Sequence, residues 1–170
     1  MIKVVIISVI QFLVLLFCQI FLLNNIYFLG FVNPMLYIWF VLMLPFATPK
    51  WLVLVTSFVL GVSVDIFSSD IGINAFVSVF IGFIRPTILV TFFDGLDNVS
   101  YLRPSASSMG FKNFFLYVLI LVLTHHFLYF TIAVFSFKEI LQIMGRTLLS
   151  TVITTALILF LDMIFLKKNK

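Results

Sequence analysis

The chain has 170 residues, of which 64% are hydrophobic, 18% aromatic and only 9% charged. With a mean hydropathy of +1.30 it has too little polar surface to cover a water-soluble globule; at roughly 20 apolar residues per crossing, the length admits about six membrane-spanning helices and no separate soluble domain. Ten basic residues stand against six acidic ones, but they are single or gathered at the C-terminus and form no stripe that tracks phosphates, which excludes a nucleic-acid binder.

The expected architecture is an all-α integral membrane protein, a single bundle of six transmembrane helices over about 4–23, 26–46, 51–67, 71–93, 114–135 and 147–166. The first span is read as a membrane helix rather than a cleavable signal, because its apolar run is span-length and no small-residue cleavage pattern precedes Asn24. Gln11, Cys18 and Asn25 fall seven apart in it and suggest a mildly polar packing seam. A lone cysteine excludes an internal disulfide and a cysteine-built zinc site. The second span meets Asn33 and Pro34 early, which implies a kink or a late start. From Pro34 to Phe46 is only about 20 Å of helix, so the upstream turn is expected to belong to the span.

The third span carries the stretch around which the chain is organised. Ser57, Gly61 and Asp65 recur every four residues and share one small, polar helix face. An aspartate facing lipid would cost roughly 2.5 to 3.5 kcal/mol, so the face should point into the bundle or toward the headgroups. Its small residues let another backbone approach, and a leucine at Gly61 should do more damage than an alanine. Ser68, Ser69 and Asp70 then break the apolar run, and Gly72 with Asn74 opens the fourth span: a tight reversal.

The fourth span holds Arg85 and Pro86 near its far end, and the one long polar connection follows from Asp94 to Lys112. The fifth contains His125 and His126. A short amphipathic piece, Lys138 to Met144, is expected at the surface before the sixth span, which carries Asp162 and ends in Lys167, Lys168 and Lys170. With six spans, Lys3, Lys50, Arg103, Lys112 and the three terminal lysines lie on one side, and only Lys138 and Arg146 on the other. The positive-inside rule then places both termini in the cytoplasm.

These side chains offer no catalytic, metal or cofactor site. Asp65 and Asp70 are unaccompanied by a Ser-His pair or a metal-binding helix motif. Adjacent histidines point about 100° apart on a helix and cannot chelate one ion together, so structural hydrogen bonding is expected of His125 and His126. Counted from the turn, Asp65 and Arg85 differ in depth by about 15 Å, too far for a salt bridge. Asp162 reaches nearly the depth of Arg85, and the two either pair or snorkel independently to the boundary.

In order along the chain stand Gln19, Pro34, Leu44-Pro45, Gly61-x-x-x-Asp65 and Gly72-x-Asn74-Ala75. In size, span count and motif order the chain resembles MreD, the bacterial rod shape-determining membrane protein, although Asn74 stands where a histidine is frequent in that family and the 94–110 loop is long. The resemblance implies a compact six-helix bundle similar to the substrate-binding components of energy-coupling factor transporters. It also implies a plasma-membrane scaffold with an MreC-like partner and, through it, MreB, RodA and a class B penicillin-binding protein, with no enzyme activity. The competing expectation is the binding subunit of a vitamin-type importer, which calls for an outward pocket lined by aromatics and a few convergent polar groups.

Overall fold

The computed structural model describes residues 2–25, 32–68, 70, 72–92 and 102–165. Among these the chain is all-helical: α1 Ile2–Phe17, α2 Ile38–Leu42, α3 Lys50–Ser68, α4 Ile73–Phe92, α5 Ala106–Met109, α6 Phe111–Val134 and α7 Ile140–Phe165. Four of them, α3, α4, α6 and α7, are long and apolar enough to cross a membrane, and a shorter apolar helix spans Ile6–Leu22. Large apolar side chains cover their outer faces, including Trp51 at 66% exposure and Phe83 at 69%. A surface of that kind is stable in lipid and not in water. The chain is therefore a membrane protein.

At its C-terminal end α1 widens into a π-helical turn, Cys18–Leu22, and closes with a 3₁₀ turn, Leu23–Asn25. Its inward face follows the four-residue spacing of Gln11, Leu15 and Gln19, with Leu15 and Gln19 buried. Of the seam expected through Gln11, Cys18 and Asn25, Gln11 is half-buried and bonds Arg103, Cys18 is half-buried, and the Asn25 side chain lies outside those described; the fully buried polar position is Gln19.

The second span departs most from expectation. Residues 26–31 lie outside the described residues; 32–37 are not helical, and α2 has only five residues, every one buried. The apolar run here is a broken strap threaded through the bundle core, not a membrane-length helix. At membrane depth such backbone is tolerated only inside protein, with each polar group given a partner. The surrounding helices supply them. Gln19 donates to Pro34 O and accepts from Tyr37 N; Ser150 and Thr154 accept from Asn33 N and Met35 N. Tyr117 donates to Leu42 O, the last carbonyl of α2, and Arg85 to Leu44 O, two residues beyond its end.

Two further boundaries differ. A single 3₁₀ turn, Phe137–Glu139, leads directly into α7, so the amphipathic 138–144 piece is divided between that turn and the start of the last helix and is not a separate surface element. Of the long connection, 93–101 lies outside the described residues, as do the terminal lysines; the rest folds as α5, capped by Ser105 in a reciprocal capping box with Ser108. Arg103 donates to Gln11 and Ser8 of α1, and Asp162 of α7 accepts from Ala106 N. These contacts gather the start of α1, the 102–110 segment and the end of α7 at one end of the bundle. The α3–α4 turn lies at the other.

Candidate functional site: the α3–α4 hairpin and its polar cavity

α3 and α4 approach so closely that a Cβ on Gly61 would meet Ala75 Cα at 2.4 Å and Asn74 O at 2.6 Å. Further along, Gly82 faces Ser57, whose hydroxyl is turned back onto Val53 O. The small stripe therefore points at a helix backbone, as close packing in lipid requires. Asp65 completes the joint. Its Oδ1 accepts from Asn74 N and Asn74 Nδ2, both at 3.0 Å, and its Oδ2 from Ala75 N at 2.9 Å. Asn74 and Ala75 are the second and third residues of α4, so the carboxylate satisfies donors that have no partner within that helix and sits at the positive end of its dipole. Gly72 turns the chain with φ +77° and nothing near its missing side chain, a conformation that other residues rarely adopt.

From Asn74 a hydrogen-bonded chain runs inward. Tyr37 Oη donates to Asn74 Oδ1 at 2.9 Å and lies 2.8 Å from His125 Nε2. With its one proton on Asn74, the phenol must accept from His125, which fixes the Nε2–H tautomer and leaves Nδ1 a lone pair; Nδ1 indeed has no partner among the described residues. His126 takes the opposite tautomer, with Nδ1–H donated to Val122 O and Nε2 facing Thr154. The two rings thus serve different networks, and Tyr37 is a member that the sequence could not separate from aromatic filling.

The same end of the bundle holds a cavity of about 290 Å³. Gln19, Asn24, Asn33, Ser68, Asp70 and Asn74 supply its polar lining, and Tyr37, Phe67 and Tyr129 its aromatic wall. Asn24 links Gln19 to Ser68, while Asp70 accepts from Tyr129 at 2.8 Å and from Asn74 at 3.3 Å. Asp70 is thus a half-buried member of this lining rather than a freely solvated turn residue. Among the described residues no three His, Cys, Asp or Glu side chains gather to hold a metal ion.

The remaining candidates lie elsewhere. Pro34 exposes its carbonyl to Gln19 beside the cavity. Arg85, 1% exposed, bonds Leu44 O and Tyr117 Oη, whereas Asp162 bonds Ala106 N. The pair considered from sequence depth is not formed: the guanidinium is committed to the broken second segment, a demand invisible while that segment was read as helix. Gln19, Ser150 and Thr154 answer the same demand, and only their polarity within apolar runs could have flagged them. Searches with the whole chain against family models, curated proteins and solved structures find no match.

Proposed function

We propose that this protein is a non-catalytic, MreD-like scaffold of the bacterial cell-elongation machinery, a six-span plasma-membrane bundle with both termini in the cytoplasm. The observation that carries the reading is that Gly61-x-x-x-Asp65 and Gly72-x-Asn74-Ala75, two separate motifs of the resemblance, form one interlocked hairpin. Asp65, the first candidate for intramembrane chemistry, spends both oxygens holding α4. Such a hairpin is a rigid platform for other membrane proteins, and the partner is an MreC-like protein that connects it to MreB, RodA and a class B penicillin-binding protein.

The cavity favours a second reading, the binding subunit of a small-molecule importer similar to those of energy-coupling factor transporters. Deletion in a rod-shaped host separates the two. The scaffold reading expects cells to widen and round whatever the medium contains. Normal width, with a growth defect cured by one added nutrient, would contradict it.

A further inference from the structure

The cavity beside the α3–α4 turn carries a charge that the fold leaves unbalanced. Among the described residues its lining holds one carboxylate, Asp70, and no lysine, arginine or histidine. A second carboxylate, Asp65, stands directly behind, bridged to Asp70 through the Asn74 amide. Much of the neutral lining is already engaged: Gln19 is bonded to Asn24, Pro34 and Tyr37, and Asn74 to both aspartates and Tyr37.

Acceptor capacity remains, notably on Asp70, Ser68 and Asn33. Asp70 receives Tyr129 and Asn74 on Oδ2, and its Oδ1 takes no hydrogen bond from the described residues. Ser68 Oγ accepts one bond, from Asn24, and retains a second lone pair. The Asn33 side chain makes no hydrogen bond among the described residues, although Ser150 anchors its backbone N–H. An anion placed here would meet Asp70 without a counter-charge, and an apolar molecule would strip water from three polar groups and return nothing. A protonated amine has three donors and one positive charge.

We propose that this cavity binds a small ligand through its ammonium group, with Asp70 Oδ1 as counter-ion and Ser68 and Asn33 accepting the other N–H bonds. A volume of about 290 Å³ is near the lower limit of ~300 Å³ for ligand pockets, so the occupant is metabolite-sized or a lipid headgroup. The ammonium comes from a free amine or from an ethanolamine headgroup; the chemistry is the same. The inference rests on the cavity and not on the scaffold reading, and its readout is binding rather than cell shape.

The test uses the full chain in phosphatidylcholine nanodiscs and follows its thermal midpoint while ethanolamine, ethylene glycol, acetate or choline is added. Ethanolamine should raise the midpoint saturably. Glycol lacks the charge, acetate has the wrong sign and choline has no N–H, so none of the three should act. Asp70→Asn should weaken ethanolamine binding about tenfold or more, the loss of one charge-assisted hydrogen bond. Asn33→Ala, which removes one acceptor and no side-chain hydrogen bond to the described residues, should weaken the response as well. If the natural source is a headgroup, phosphatidylethanolamine discs will raise the midpoint and suppress the response to free ethanolamine; if it is a free amine, they will leave both as they were. Equal effects of ethanolamine and glycol, a response to acetate, no response to any probe, or an undiminished response in both variants would overturn the proposal.

Discussion

A Cβ on Gly61 would stand 2.4 Å from Ala75 Cα, inside any real contact between carbon atoms. The obstacle is backbone at the start of α4, not the flexible end of a side chain. Alanine must therefore push the helices apart much as leucine does, and the graded effect of bulk expected from sequence gives way to a threshold at the first carbon. Gly61→Ala should destabilise the detergent-solubilised protein by about 3 kcal/mol, the upper range for overpacking. A thermal midpoint unchanged from wild type would show that the helices are not in contact here.

Asp65→Ala strands three donors in a buried site and should cost about 3 kcal/mol or more. Asp65→Asn keeps an oxygen for Asn74, but its amide nitrogen then faces Ala75 N–H, donor against donor. The amide is therefore less benign than its matching volume suggests, and its loss should exceed half that of the alanine variant. Denaturant unfolding in mild detergent measures both; an Asn variant as stable as wild type would remove the capping role.

Arg85 and Asp162 hold different partners at the same end of the bundle, so their losses should add. Arg85→Ala and Asp162→Ala combined should equal the sum of the single effects within about 0.5 kcal/mol. A coupling well above that would mean the two charges meet after all.

The proposed orientation rests on the charge count. In a Cys18→Ser background, Lys138→Cys is expected to label with an impermeant thiol reagent in intact cells and Lys112→Cys only after permeabilisation, both positions being exposed. The reverse pattern would invert the topology.

The long helices and the inward stripe were legible because run length and four-residue spacing report directly on span and face: Ser57, Gly61 and Asp65 are all buried. The broken second segment was not. Its residues from Met35 to Leu44 are buried without exception, and an apolar run buried on all sides carries no periodicity to distinguish helix from strap. That one ambiguity spread to the roles of Gln19, Tyr117, Ser150 and Thr154, which satisfy backbone that a continuous helix would have satisfied itself, and to Arg85, which takes the Leu44 carbonyl at the segment's end. Asp65 was placed on the correct face, but two of its three donors are backbone N–H groups, which no residue pattern displays. The cavity draws on four separate stretches of the described chain, 19–24, 33–37, 64–74 and Tyr129, which no single local pattern joins.

The central claim, that this protein acts by holding others together, is tested most directly by isolating it from the membranes of a rod-shaped host in mild detergent and identifying what comes with it. The account predicts recovery of an MreC-like protein in near-stoichiometric amount, sharply reduced by Gly61→Leu while the variant still inserts. Recovery of an ATP-hydrolysing transport module in its place, with no MreC-like protein, would contradict it.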